Sequence, residues 1–368
     1  MILYLEYSAG GIRGGEVYSA YFHSFLHKRF DNIAPEEIPL FPDEIKNPLR
    51  HCLYSYKRVK QINPSIIIVN VSSGIRNVLA VWWMKLNRRK VITILLEQRL
   101  AFNTKIPFFR WIVRQCEKYL IKKADIILVI SGYTEGLARQ QNARSETPCI
   151  IAPPGMENYI QRAEDFKPKL PVSGEPLKLL FVGMCVWHKG IKYLVEAMNL
   201  LKEYNITLDI IGKYDGNDHY FKSIKQFVDK NDLDEKIRFH GFVETEEVIR
   251  LFGESSIYVH PSLMEGYGMV LAEAMSFGLP IVATTAGAIP ELVEDGINGI
   301  LVEPRDSAGL ANAILKLCDN EQLRLEISEL NIEKVKTLTT WRDFDSILEK
   351  EMVPAIEKVA GIKAKDSN

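Results

Sequence analysis

Two doubly wound α/β domains joined by a linker are predicted from three features of this 368-residue sequence: its length, eleven short apolar runs separated by segments of helical period, and one proline-rich interruption. A single hydrophobic core stops growing below this length, and about 150 residues per domain gives two domains. Hydrophobic residues at 47% and charged residues at 25% are the balance of a folded globular chain rather than a disordered or fibrous one.

The apolar runs define the sheets. Five lie in the first half: Ile2–Leu5, Ile66–Val69, Val91–Leu95, Ile126–Ile130 and Cys149–Ala152. Six lie in the second: Leu179–Val182, Leu208–Ile211, Ile237–Phe239, Ile257–Val259, Ile281–Ala283 and Ile300–Val302. Runs that are apolar throughout predict strands covered on both faces, and their alternation with helical segments predicts parallel sheets. Residues 166–177 carry three prolines and no period; proline removes a donor and resists helix, so this stretch is the predicted linker. The domains are therefore expected at 1–165 and 178–340. Beyond Leu310 helical patterns run to about Ala360, broken at Thr340-Trp341, and residues 341–368 are expected to pack back on the N-terminal domain. No repeat or low-complexity tract is evident.

The net charge of -1 conceals a split: residues 1–170 carry 25 Lys+Arg against 15 Asp+Glu, and the remainder 21 against 32. The first part is thus +10 and the second -11, which predicts either mutual complementarity or a basic surface for an anionic acceptor or membrane. The five cysteines are scattered without a Cys-x-x-Cys pair, so neither a disulfide framework nor a zinc site is indicated. The N-terminus lacks the basic flank of a signal peptide, and no run reaches about 18 apolar residues. A cytoplasmic protein, peripheral at the inner face of the membrane, is expected.

The most informative stretch runs from Val259 to Met275. A strand ends at His260, a loop with Gly266 follows, and a helix-forming sequence begins near Gly268. Glycines let backbone N–H groups approach a ligand, and a new helix offers unsatisfied donors and a positive dipole to an anion such as a diphosphate. Seven residues separate Glu265 in the loop from Glu273 within the helix, so the two carboxylates are placed to grip opposite ends of one ligand. Sugar hydroxyls are donors that carboxylates accept well. The competing reading makes Glu265 a helix cap and Glu273 a solvated helix residue.

This block resembles the Glu-x7-Glu signature of family 4 retaining glycosyltransferases, with their Glu-Gly-Phe-Gly written here as Glu265-Gly266-Tyr267-Gly268. The resemblance extends through Gly278-Leu279-Pro280 to Asp306, and upstream to Phe181-Val182-Gly183, Lys189-Gly190 and Arg238–Phe242. It implies the GT-B architecture of two Rossmann-like domains facing a central cleft, and a nucleotide-diphosphate sugar as donor with no metal. It further implies that Glu265 binds hydroxyls of the transferred sugar, Glu273 the ribose, the 266–269 backbone (Gly266, Tyr267, Gly268, Met269) the diphosphate, and Lys189 the leaving charge. Gly183, in the Phe-Val-Gly landmark of the same domain, is by the resemblance a further donor-binding residue. The family's usual arginine after Phe-Val-Gly is replaced by Met184. In the N-terminal half, Arg13-Gly14-Gly15 resembles the family's phosphate-facing glycine loop, with Arg13 a substitute cation; a plain turn is the bland alternative. The family's histidine after the fourth strand is absent, and Glu97 stands in that region. Ser131 suits either a helix cap or a ligand contact.

Trp82-Trp83 with Lys85–Lys90, and Phe108–Trp111 within Lys105–Lys123, mix aromatic and basic residues as a membrane surface requires, although aromatics at helical spacing are equally ordinary core. No nucleic-acid recognition element accompanies them. By the resemblance the enzyme passes a sugar to a hydroxyl acceptor, lipid-linked or polysaccharide, with retained configuration and the departing phosphate taking the acceptor proton. The alternatives are a sugar-nucleotide epimerase on the same fold and a weakened homologue acting as an assembly partner.

Overall fold

The computed structural model describes residues 1–5, 14–31, 33, 48–71, 74–95, 107–141, 143–165, 176–216 and 218–365. They form two compact units, Met1–Gly155 with Thr340–Asn368, and Met156–Thr339.

The first unit is built in chain order from β1 (Ile2–Leu5), α1 (Gly14–Arg29), α2 (Pro48–Ile62), β2 (Ile66–Asn70), α3 (Gly74–Leu86), β3 (Lys90–Leu95), α4 (Pro107–Lys123), β4 (Ile126–Val129), α5 (Gly132–Gln140) and β5 (Cys149–Ile151). Its strands lie parallel in the order β1-β2-β3-β4-β5. An isolated parallel bridge from Ile2 to Ile33 puts the chain that follows α1 on the opposite side of β1, so the winding direction reverses there. Leu3, Ile67, Val69 and Val91 bury one sheet face against Val59, Val81, Met84 and Leu120 of the helices. Burial of this kind contributes about 1.5–3 kcal/mol per large aliphatic side chain.

The second unit contains α6 (Glu157–Asp165), β6 (Leu177–Val182), α7 (Ile191–Leu200), β7 (Ile206–Ile211), α8 (His219–Lys230), β8 (Ile237–Gly241), α9 (Thr245–Glu254), β9 (Ile257–His260), α10 (Met269–Ser276), β10 (Ile281–Thr284), α11 (Ile289–Leu292), β11 (Gly299–Val302), α12 (Ser307–Cys318) and α13 (Glu321–Lys336). Its parallel sheet has the order β11-β10-β9-β6-β7-β8. Leu179, Phe181, Leu208, Ile210 and Val259 pack on Ile191, Leu194, Met198, Leu310 and Ile314. The chain then returns to the first unit with α14 (Trp341–Ile347), a π-helical turn (Leu348–Met352) and α15 (Val353–Ala360), where Tyr18 meets Phe344 and Tyr21 stacks on Trp341 at 3.7 Å between ring centroids.

The domain boundary differs from the one drawn on composition. Residues 156–165 cluster with the second unit, because α6 packs on α10 and α13 there. The chain changes unit at Gly155, where an added Cβ would overlap Trp341, and Met156 N–H donates to Thr339 O at 2.9 Å. β6 already begins at Leu177, inside the predicted linker, and the rest of that linker from 166 to 175 lies outside the described residues.

Candidate functional site

Sheet order fixes where a ligand would sit in the second unit. From β6 the chain winds one way to β7 and β8, then crosses back to lay β9 against the other side of β6, with Leu179 opposite Ile257 and Leu180 opposite Tyr258. Ligands of doubly wound sheets bind beyond the carboxyl ends of the strands at such a switch point. The loops after β6 and β9 carry Gly183, Lys189, Glu265 and Gly266.

Those two loops are locked together by backbone. Trp187–Lys189 form a 3₁₀ turn closed by Gly190, whose left-handed φ of 71° and close approach to the Pro261 carbonyl leave no room for a Cβ. Leu263 N–H donates to His188 O at 2.8 Å. Lys189 therefore lies in this turn, separated from α7 by Gly190, and its side chain is largely covered.

Glu265 is buried, at 8% exposure, and its Oε2 accepts from Lys189 Nζ at 2.7 Å, His260 Nε2 at 2.9 Å and Ser262 Oγ at 3.4 Å. Burial alone would raise its carboxyl; the Lys189 ammonium, then the His260 hydrogen bond, outweigh that and hold it well below the usual carboxylate range. The helix-capping alternative is not what the structure shows, because α10 is capped by Gly268, at φ 97° and without a side chain for the first-turn amides. Met269 opens α10, and Tyr267 is buried beside it, its phenol pushed up to about 12 by burial and then by Glu291.

Glu273 lies in the second turn of α10. Arg162 of α6 approaches its Oε1 at 3.7 Å and lies 4.8 Å from the Phe277 ring centroid. Burial pushes the Glu273 carboxyl up to about 7, and Arg162 only partly opposes it. Both Glu265 and Glu273 add to the burial that raises the Tyr258 hydroxyl, so their two fields converge on the end of β9.

Sequence reasoning passed over four side chains here: Tyr258, His260, Ser262 and Arg162. A signal for the first two was present, since Tyr258 and His260 are polar-tipped residues at period 2 at the end of an apolar strand. Arg162 gave none, because its partner is 111 positions away, as Glu273 in the sequence. In the first unit, Gly14 and Gly15 open α1, while Arg13 and Glu97 lie outside the described residues. Ser131 is a helix cap: its Oγ accepts from Thr134 N–H at 3.2 Å in a capping box. Among the described residues no group of three or more His, Cys, Asp and Glu side chains could hold a metal ion, and no helix is long and apolar enough to cross a membrane.

Comparison with known proteins places this geometry. Residues 162–334, just under half of the chain, match the family described as glycosyl transferases group 1. An uncharacterized glycosyltransferase of Methanocaldococcus jannaschii is 32% identical over 212 residues, covering 58% of this chain and 55% of that protein. The amylovoran biosynthesis glycosyltransferase AmsK of Erwinia amylovora is 33% identical over 155 residues, covering 40% of this chain and 37% of that protein. The chain thus spans about half or less of these relatives' length. Among solved structures, Anabaena HepE in complex with UDP and glucose superimposes with a TM-score of 0.70 at 20% identity, over 95% of this chain and 98% of that one. Residues 162–334 therefore form a domain of the group 1 glycosyltransferase family, carried on a chain with the GT-B fold.

Proposed function

We propose that this chain transfers a sugar, with retained configuration, from a nucleoside-diphosphate sugar to a hydroxyl acceptor in the synthesis of a lipid-linked saccharide or cell-surface polysaccharide. The observation that carries this reading is Glu265, held ionised at the switch point of the sheet beside the start of α10, which has no side-chain cap. A diphosphate over residues 266–269 would meet first-turn amides and the positive end of the helix. Glu265 would accept hydroxyls of the sugar and Glu273 those of the ribose. Lys189, paired with Glu265 at 2.7 Å, would meet the charge that develops on the departing phosphate. The acceptor oxygen bonds to the anomeric carbon on the face that the phosphate oxygen leaves, and that oxygen takes the acceptor proton. UDP bound to HepE and amylovoran in the name of AmsK support the nucleotide and the polysaccharide in turn.

A thermal-shift panel of UDP, GDP and ADP sugars tests the donor. The preferred one should stabilise the protein by mass action, by about 2.7 kcal/mol at a hundred times its Kd, and so raise the melting temperature. Glu265→Gln should then cut turnover of that donor by about 10- to 100-fold while UDP affinity stays within about threefold, the loss of one or two charge-assisted hydrogen bonds to the sugar. Parallel loss of UDP binding and turnover would refute the role of Glu265.

A second proposal is contact with an anionic membrane through the first unit. Trp83 is half-buried against the core, but Trp82 of α3 is 48% exposed, and Phe108 and Trp111 of α4 are 64% and 59% exposed, amid Arg114, Lys118 and Lys122. Aromatic rings at headgroup depth beside cations suit that surface.

A further inference from the structure

All three side-chain hydrogen bonds to Glu265 fall on a single oxygen. Lys189 Nζ, His260 Nε2 and Ser262 Oγ converge on Oε2, and among the described residues none reaches Oε1. An ionised carboxylate has about four acceptor sites, so the free oxygen is the one left for a ligand. Its direction depends on what grips the other.

The three grips differ in kind. Lys189 is a point charge on a flexible stem, and it is also the group a diphosphate would attract. Ser262 is the longest contact. His260 is a rigid ring at 1% exposure on β9, and its far nitrogen, Nδ1, lies 3.1 Å from the hydroxyl of Tyr258, which is fully buried two residues earlier on the same strand face. The hydroxyl's one proton can serve either Nδ1 or Val182 O, 3.4 Å away at the end of β6, and the ring nitrogen is the nearer of the two.

We propose that His260 is a positioning residue: anchored by Tyr258, it donates Nε2–H to Glu265 Oε2 and so aims Oε1 at the sugar hydroxyls of the donor. The inference rests on the proposed role of Glu265 as the sugar-binding carboxylate.

Chemistry fixes the tautomer. An ionised Oε2 only accepts, so the proton between it and His260 belongs to Nε2. A single proton there leaves Nδ1 bare, to accept from the Tyr258 hydroxyl, whose proton burial holds firmly. Burial also drives the imidazole below its ordinary value; Glu265 pulls the other way, and Lys189 adds to the lowering. The groups facing the ring are Tyr258, Ser262, Glu265 and Lys189, and with Glu265 and Lys189 cancelling one another the ring stays neutral at pH 7. When a bound diphosphate draws Lys189 away, His260 becomes the principal grip on Oε2.

Two measurements test this. Nitrogen-15 shifts of His260 in the ligand-free protein should show a protonated Nε2 and a bare Nδ1 at pH 7; a protonated Nδ1 would overturn the proposal. Titration of UDP and UDP-glucose into wild type, His260→Met and His260→Gln reads the gain from the sugar. Methionine fills the space without a donor, so its gain should fall about 10-fold or more, while UDP affinity is unchanged. Glutamine carries an N–H of similar reach and should restore the gain to within about threefold, which a purely structural role for the ring would not predict. Equal gains for wild type and His260→Met would overturn the inference alone. A wild type that binds UDP but gains nothing from the glucose would remove the sugar role of Glu265, and the inference with it.

Discussion

Glu265 and Glu273 belong to one motif, yet their environments push them apart. Glu265 is held ionised, so its contribution to stability is present above the ordinary carboxylate value of 4.5 and is lost only as pH falls far below it. Glu273 is the reverse: its folded value of about 7 exceeds 4.5, so its contribution is full below 4.5 and lost as pH rises through about 7. Glu273→Gln, neutral throughout, should therefore match wild type at pH 4 and exceed it at pH 8 by up to about 3 kcal/mol in denaturant unfolding. If ribose hydroxyls need the ionised form, wild-type UDP affinity should climb between pH 6 and 8, and the variant should be weaker and flat with pH. A variant less stable than wild type at pH 8 would contradict the burial argument. The motif was legible in the sequence because both glutamates are carried by local pattern; which one holds a proton near neutrality was not, because Lys189, His260 and Arg162 arrive from other elements.

At the scale of elements, nearly every strand was legible. Parallel strands buried on both faces are unbroken apolar runs, as Ile126–Val129 and Ile281–Thr284 illustrate. The assignment of α6 was not, since a helix carries no mark of which sheet it will cover, and a proline-rich stretch after it drew the boundary too late. The connection between β10 and α11 is set by close approach instead of pattern. Gly287, at φ 65°, lies so near the Glu265 backbone that a Cβ would overlap its carbonyl, and Ala288 N–H donates to that carbonyl at 2.9 Å. Gly296, at φ 74°, has nothing within 4 Å of the same added atom. Gly296→Ala should thus cost only the left-handed strain, about 1 kcal/mol, whereas Gly287→Ala should cost more than twice that and weaken donor binding by shifting Glu265. Similar unfolding midpoints for the two variants would show that the loop yields easily.

Across the whole molecule the charge split was visible from composition alone, but its use was not, because exposure decides whether an aromatic is core or contact. The sorting of Trp83 inward and of Trp82, Phe108 and Trp111 outward is a tertiary outcome. With a basic first part of net +10, the protein should float with vesicles containing anionic lipid and not with neutral ones. Binding should fall steeply with salt, and Phe108→Ser with Trp111→Ser should weaken it at constant charge. Equal flotation with both vesicle types would remove the electrostatic half of the proposal.

The two places where the chain changes unit carry a consequence for biosynthesis. Met156–Thr339 is one uninterrupted stretch, whereas the first unit is completed only by Thr340–Asn368, which supplies the buried Phe344, Leu348, Met352 and Ile356. A ribosome that has reached Thr339 has synthesised everything the second unit needs, while the earlier-made half still waits for its last side chains. The nascent polypeptide therefore finishes its middle before its beginning, and a nonsense codon near position 340 would spare the later-encoded core while leaving the first one open.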